Sequence, residues 1–222
     1  MSRLFPLLPV SVEETAQGVR VSGMRLEAIH EYTRADGSPW WYIARWKNPS
    51  TGEKRPLPFH FEGSTCSRKM PDIPHGKRPL YRLHKLGQYP SEVVYLAEGE
   101  SCADCLEGLG FLATTWPNGS KSVGAADWSP LAGRRIVLWP DNDTPGFEAV
   151  GMARRILHGL GSRAVVLDVE RLGLPPKGDC VDWLRTFVER HGKRHLHEIP
   201  NGHDLARQEI EAFEVMERQV AA

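Results

Sequence analysis

Pairs of acidic residues follow two strand-like segments of this 222-residue chain. Glu98 and Glu100 come directly after the first segment, and Asp141 and Asp143 come directly after the second. Carboxylates held close together repel one another, which raises their pKa values or destabilises the fold unless something compensates. A hard divalent cation removes that conflict, and Mg²⁺ binds through one or two carboxylates while leaving positions open for phosphate oxygens. The pattern therefore predicts a site for Mg²⁺, or for Mn²⁺, that handles phosphate.

A structural interpretation of the same acids stays open. Asp-Asn-Asp-Thr-Pro-Gly at residues 141–146 is also typical of a turn and a helix N-cap, with Pro145 in the first helical turn. A third acidic group, Asp179 and Asp182, follows the last strand-like segment. Asp179 fits a helix cap as well as it fits a metal site.

The elements that must position these acids alternate between strand-like and helix-like patterns. Strands are predicted at residues 92–97, 110–115, 135–139 and 164–169, and helices at residues 103–109 and 145–160. This alternation predicts an α/β fold, a mostly parallel central sheet flanked by helices. Ligands of such sheets collect at the carboxyl ends of the strands, where the acids lie.

The chain before residue 90 has a different character. Residues 24–33, 40–46 and 56–61 are strand-like and separated by turn signals, which predicts a small antiparallel meander, and residues 63–77 are predicted to be a loop. We therefore predict a β-rich domain at residues 1–90, a catalytic domain at 91–200 and a C-terminal helix at 201–222. The charged amphipathic helix fits docking on the body or on a partner.

Composition excludes several classes of protein. The chain is 41% hydrophobic and 25% charged, with 28 basic and 28 acidic residues, which argues against a protein that coats nucleic acid by bulk charge but leaves room for a local basic patch. No run reaches the roughly 18 apolar residues of a membrane span, and residues 1–10 lack a cleavable-signal pattern. Four cysteines are too few for a disulfide scaffold. We expect a cytoplasmic protein with no membrane partner.

The order and spacing of these motifs resemble the Toprim domain of phage and plasmid DNA primases. The resemblance rests on Glu-Gly-Glu at 98–100, Pro-Asp-Asn-Asp at 140–143 and Lys-Gly-Asp-Cys-Val-Asp at 177–182, and it covers roughly residues 92–184. It implies a Toprim fold preceded by the small antiparallel domain. Weaker similarity over residues 31–86 is to the segment that precedes Toprim in primase-helicase proteins. Toprim domains also occur in topoisomerases and in some nucleases.

The resemblance implies a role for each matching residue. Glu98 is the acid or base that assists deprotonation of the attacking 3′-hydroxyl, and Asp141 and Asp143 join it as catalytic residues that hold Mg²⁺. Further metal ligands are expected at Asp179 and Asp182, and phosphate or nucleotide contacts at Lys177 and Lys121. The implied reaction is synthesis of short RNA primers on single-stranded DNA from nucleoside triphosphates, for replication of a mobile element. A helicase or another replication protein is the implied partner.

Basic residues outside the Toprim region predict the nucleic-acid contacts. The candidates are Arg45, Lys69, Arg78 and Arg82, and an ordinary solvated surface is the alternative. Aromatic residues at 40, 41, 42 and 46 fit either a base-stacking surface or the inner face of a sheet.

The sequence departs from the family pattern in three ways. Many relatives have lysine after Glu-Gly-Glu, whereas this chain has Ser101, and it carries neither a zinc ribbon before the Toprim region nor a Walker-type loop after it. Cys102 and Cys105 form an isolated Cys-x-x-C, so we expect helix packing and no zinc. Two rivals stay open: a metal-dependent Toprim nuclease, and a non-catalytic Toprim-fold module that binds a replication or host protein.

Overall fold

An antiparallel sheet forms the first part of the fold. The computed structural model describes residues 21–63 and 65–220. The first 20 residues of the predicted β-rich domain, which include the segment predicted to lack a signal, lie outside the described residues, as do residues 221–222. The strands are β1 (Arg25–Thr33), β2 (Pro39–Lys47), β3 (Lys54–Glu62) and β4 (Thr65–Ser67) in the order β1-β2-β3-β4. The predicted meander is confirmed, and β4 adds a short strand inside the predicted loop.

Aromatic side chains cover both faces of this sheet. Tyr32 stacks on Trp41 at 4.4 Å between ring centroids, and both are fully buried on the face that meets the rest of the protein. Tyr42 stacks on Phe59 at 5.2 Å on the other face, where Trp46 is also buried. Alternate strand residues point to opposite faces, so a run of aromatics fills two cores. The core-packing interpretation holds for three of the four aromatics, and Trp40 is half-buried.

The second part is a parallel four-stranded sheet with helices against it. Its strands are β5 (Val94–Ala97), β6 (Leu112–Thr114), β7 (Arg135–Trp139) and β8 (Arg163–Val166), in the order β6-β5-β7-β8. The α-helices within residues 21–63 and 65–220 are α1 (Leu83–Gln88), α2 (Glu100–Gly108), α3 (Thr144–Gly159), α4 (Cys180–Arg190) and α5 (Gly202–Val220). The predicted fold class is confirmed.

One helix begins earlier than the sequence predicts, and the C-terminal helix takes one of its two predicted positions. Helix α2 begins at Glu100, three residues earlier than predicted, so the Glu-Gly-Glu motif runs straight into its first turn. Helix α5 packs on the body of the protein, where Ala206 and Ile210 are fully buried in the shared core.

The two sheets share one hydrophobic core. Ile43 of the antiparallel sheet lies in the same cluster of buried side chains as Tyr95, Val137 and Phe187 of the second part. Burial of apolar surface across this boundary fixes the antiparallel sheet against α2 and the parallel sheet. Among residues 21–63 and 65–220, no helix has the length and apolar content needed to cross a bilayer.

Candidate active site

The register of the parallel sheet brings the first two acidic groups together. Ala97, the last residue of β5, pairs with Trp139, the last residue of β7. Glu98 and Asp141 therefore leave neighbouring strands at the same edge. Gly99 has φ 83 and ψ 149, a backbone conformation essentially restricted to glycine, and it turns the chain from β5 into α2.

Glu98 is held at this edge by one of its two carboxyl oxygens. Oε1 accepts a hydrogen bond from the backbone N–H of Ser120 at 2.9 Å, whereas Oε2 is buried without a hydrogen-bond partner among the described residues. Burial raises the pKa of Glu98, the Ser120 hydrogen bond opposes it, and the charge of Asp143 raises it further, for a net increase. A carboxyl group with a raised pKa and a free oxygen is suited to accept a proton.

Asp141 is the most strongly perturbed acid of the site. Burial, followed by the charges of Glu98, Asp179 and Asp143, raises its pKa to about 8, against a weaker opposing effect of Lys54. The four carboxyls thus interact across three strand-to-helix connections. Burial and this repulsion together favour the protonated form of Asp141 at neutral pH.

Asp143 and Asp179 are helix caps, as the structural interpretation required. Asp143 Oδ1 accepts from the N–H of Gly146 at 2.8 Å at the start of α3. Asp179 Oδ1 accepts from the N–H of Asp182 at 3.0 Å, and Asp182 Oδ2 accepts in return from the N–H of Asp179 at 3.2 Å, which forms a capping box on α4. Both caps use Oδ1, so Oδ2 of each aspartate stays outside the cap.

Asn142 joins the loops that carry these caps, and sequence reasoning missed this role. Its backbone N–H donates to Gly178 O at 2.9 Å, its carbonyl accepts from the N–H of Lys177 at 2.7 Å, and its Nδ2 donates to Leu174 O at 2.9 Å. The sequence signal for this role is the position of an amide side chain, Asn142, between two aspartates. The bonds hold the Asp179 loop beside Asp141.

Gly146 keeps the Asp141 turn tight. A Cβ at this position would lie 2.6 Å from the carbonyl oxygen of Asp141, closer than real Cβ contacts. Any larger residue must therefore displace the backbone of Asp141. Close packing against Asp141 therefore explains why the Asp-Asn-Asp-Thr-Pro-Gly motif ends in glycine.

The acids fit a divalent cation only if it is bound through few of them. Within the described ranges, no three His, Cys, Asp or Glu side chains already converge as a metal-binding group. Mg²⁺ needs no such trio, because it binds through one or two carboxylates and retains several waters. The Glu98 Oε2 atom, buried without a hydrogen-bond partner among the described residues, and the raised pKa of Asp141 both fit a cation at this edge of the sheet.

Glu100, the second acid of Glu-Gly-Glu, interacts with the antiparallel sheet. Its Oε1 accepts a hydrogen bond from the hydroxyl of Tyr32 at 2.7 Å. The sequence separation of 68 residues explains why no local pattern predicted this pair. Beside it, Ser101 Oγ lies 2.5 Å from NH1 of Arg45.

The predicted basic contacts lie in different environments. Arg82 is mostly buried, pairs with Asp104 and Glu107, and lies over the Tyr81 ring. Lys69, Lys121 and Lys177 are exposed, and Arg78 is half-buried. Lys121 directly follows Ser120, the residue that binds Glu98. Their roles in binding phosphate and nucleic acid stay predictions.

Cys102 and Cys105 of α2 lie against Cys180, the first residue of α4. Cys180 Sγ donates to the carbonyl of Cys102 at 3.4 Å, and both residues are buried. The hydrogen bond with Cys180 lowers the pKa of the Cys102 thiol, but burial together with the nearby charges of Asp179 and Asp141 outweighs it and leaves that pKa raised. The sequence did not indicate that Cys180 would join the Cys-x-x-C pair.

The fold of this chain is similar to that of several solved structures. The zinc-binding and RNA polymerase domains of the Aquifex aeolicus primase match with a TM-score of 0.53 and 14% identity, over 83% of this chain and 39% of that chain. The DnaG catalytic core matches at 0.47 and 17% identity, over 78% of this chain and 56% of that chain. The primase fragment of the bacteriophage T7 primase-helicase matches at 0.46 and 16% identity, over 76% and 64%. No family model and no curated protein matches the sequence. The fold therefore resembles that of a DNA primase core, and this chain spans about two fifths of the Aquifex structure.

Proposed function

We propose that this protein is a Mg²⁺-dependent nucleotidyltransferase of the primase type, which joins ribonucleotides into short primers on single-stranded DNA. The observation that carries the proposal is the acid cluster at the shared edge of β5 and β7, where burial and three other carboxyls raise the pKa of Asp141 to about 8. The primase-like fold supports it. Replication of a mobile element is the proposed setting, with a helicase or another replication protein as partner.

Asp141 and Asp143 are the groups that would hold the cation, and Asp179 adds charge behind them. A bound Mg²⁺ or Mn²⁺ supplies neutralisation of the triphosphate and of the charge that develops during phosphoryl transfer. The chain's own acids then stay ionised side by side. The caps on α3 and α4 hold two of them in place before substrate arrives.

Glu98 is the proposed general base. The Ser120 N–H orients its carboxyl through Oε1, so Oε2 is the atom that accepts the proton of the attacking 3′-hydroxyl. Its raised pKa brings the carboxylate closer to the pH at which it works, which favours proton transfer. Lys121, next to Ser120, and Lys177, next to the Asp179 loop, are the proposed phosphate contacts.

The test is a sequencing gel of end-labelled single-stranded DNA and labelled ribonucleotides, incubated with the protein and Mg²⁺ or Mn²⁺. We expect new oligoribonucleotides, and Glu98→Gln should reduce their rate at least about 100-fold because the base is lost. Glu92→Gln, an exposed glutamate before β5, is the matched control and should leave the rate unchanged.

The products separate the alternatives. Shortened DNA without new RNA would show a nuclease that uses the same acids to activate water. If neither product forms and calorimetry detects no Mg²⁺ or Mn²⁺ binding, the catalytic proposal fails and a non-catalytic binding module remains.

A further inference from the structure

A network of polar side-chain contacts runs from the surface of the antiparallel sheet into α2. Ser101 Oγ lies 2.5 Å from NH1 of Arg45 and 3.5 Å from Nε2 of His30. His30 Nδ1 lies 3.0 Å from Oδ2 of Asp104. His30 and Asp104 are buried, with 1% and 7% of their surfaces exposed. Ser101 therefore links an arginine near the surface to a buried pair.

Asp104, at the buried end of this network, accepts several hydrogen bonds. Burial raises the pKa of Asp104, but the hydrogen bond and charge of His30 and the charge of Arg82 outweigh it, so the net pKa is lowered. Asp104 is thus ionised and accepts the Nδ1 hydrogen of His30, which leaves Nε2 as the atom facing Ser101. The Tyr81 hydroxyl and Arg82 also donate to Asp104, at 3.0 Å and 2.5 Å. The Ser101 hydroxyl meets this pair through its 3.5 Å contact with His30 Nε2.

Arg45 lies at the more exposed end of this network, and its guanidinium is suited to bind an anion. Arg45 Nε donates to Glu27 Oε2 at 2.9 Å, so its two bonds fix the guanidinium plane and use two of its five N–H donors. The side chain is 22% exposed. A planar guanidinium with free donors is the group that binds phosphate through two parallel hydrogen bonds.

The surrounding sheet face carries positive charge towards the acid cluster. Arg45 and Lys47 alternate along β2 and share a face, and Lys54 of β3 lies directly opposite Lys47. Lys54 is close enough to Asp141 to oppose the rise in its pKa. Arg45 touches Ser101, three residues after Glu98. The basic face and the acids thus border the same space.

We propose that Arg45 binds a phosphate group of the substrate at the candidate active site, and that Ser101 is the positioning residue that fixes its guanidinium through the buried His30–Asp104 pair. The inference rests on the proposed function and deepens it by naming a substrate contact. The phosphate belongs either to the nucleoside triphosphate or to the DNA backbone. These two sources share one chemistry and are separated by the test.

The test measures equilibrium binding of ATP and, separately, of a fluorescein-labelled single-stranded DNA oligonucleotide, in the presence of Mg²⁺. Arg45→Ala and Ser101→Ala should each weaken one of the two about tenfold, which is the effect of losing a charge-assisted hydrogen bond. The double variant should be no weaker than Arg45→Ala, because both act through one contact. Ser101→Thr, which keeps the hydroxyl, should bind like the wild type.

Matched controls come from the same sheet and the same residue type. Arg55→Ala removes one positive charge from the opposite face of β3, next to Lys54 in the chain, and Ser129→Ala removes an exposed serine hydroxyl that bonds Asp127. Neither should change binding. Thermal unfolding of every variant shows that the fold is retained.

The probe whose binding weakens, ATP or the oligonucleotide, identifies the source of the phosphate, and weaker binding of either probe supports the proposal. Unchanged binding of both probes by Arg45→Ala would overturn the phosphate contact. Weaker binding by Arg45→Ala with unchanged binding by Ser101→Ala would overturn the positioning role. Because the readout is binding, a wild type that binds both probes but makes no primers refutes the proposed function alone.

Discussion

Asp141 is half-buried beside three other carboxyls, and this arrangement has a cost in the absence of a cation. Its pKa of about 8 in the folded protein lies far above that of an aspartate in the unfolded chain, about 3.9. Between these values the folded state holds a proton that the unfolded state has released. The free energy of unfolding therefore falls as pH rises from about 4 to 8.

The first prediction concerns Asp141→Asn in a buffer that contains a chelator. The variant removes the titrating group, so its stability should depend less on pH, and at pH 8.5 it should unfold about 5 °C or more above the wild type. Calorimetric melting at pH 5 and pH 8.5 measures the difference. Asp72→Asn, an exposed acid, serves as the control. An unchanged pH dependence in Asp141→Asn would contradict the raised pKa.

The second prediction uses added Mg²⁺ on the wild type at pH 8.5. A cation that binds the folded state alone raises its melting temperature, and at 100 times its dissociation constant it stabilises the fold by ~2.7 kcal/mol. The stabilisation should be lost in Asp141→Asn. A melting temperature of the wild type that does not respond to Mg²⁺ would count against the cation site.

At the scale of elements, Asp179 caps α4 and also raises the pKa of Asp141, so its two roles can be separated. Asn caps a helix as well as Asp does, whereas Ala does not. The third prediction is that Asp179→Asn is at least as stable as the wild type, because it keeps the cap and removes repulsion, and that Asp179→Ala is ~1 kcal/mol less stable than Asp179→Asn, as measured by urea unfolding. Both should weaken Mg²⁺ binding in calorimetry. If Asp179→Asn binds Mg²⁺ like the wild type, Asp179 is a cap alone.

The elements also show how far the sequence could predict this structure. The bounds of β7 follow from an apolar run between Arg135 and Pro140, and the structure places the strand at the predicted residues. Strand β4 has three residues and exists through pairing with β3, so no periodicity marks it. The acids were predictable from motif spacing. The hydrogen bond from Ser120 to Glu98 comes from a turn 22 residues away, beyond any local pattern.

At the scale of the whole molecule, a buried polar cluster joins the two sheets. Asp104 of α2 interacts with His30 of β1, and with Tyr81 and Arg82 before α1. The hydroxyl of Thr33 in β1 lies 2.7 Å from Nδ1 of His84 in α1. The apolar core is continuous across the same boundary. The antiparallel sheet should therefore unfold together with the parallel sheet.

The fourth prediction tests that coupling by native-state hydrogen exchange. In the wild type, the amides of β2 and of β7 should open with the same free energy, because neither sheet keeps its core without the other. Asp104→Ala leaves buried partners unpaired and should lower both values by ~3 kcal/mol. Ser38→Ala, a turn residue of the antiparallel sheet, should leave both values within ~0.5 kcal/mol of the wild type. Faster exchange in β2 alone would instead mean that the antiparallel sheet is a separable unit docked on the acid site, and Arg45 would then reach that site through domain docking and not through a shared core.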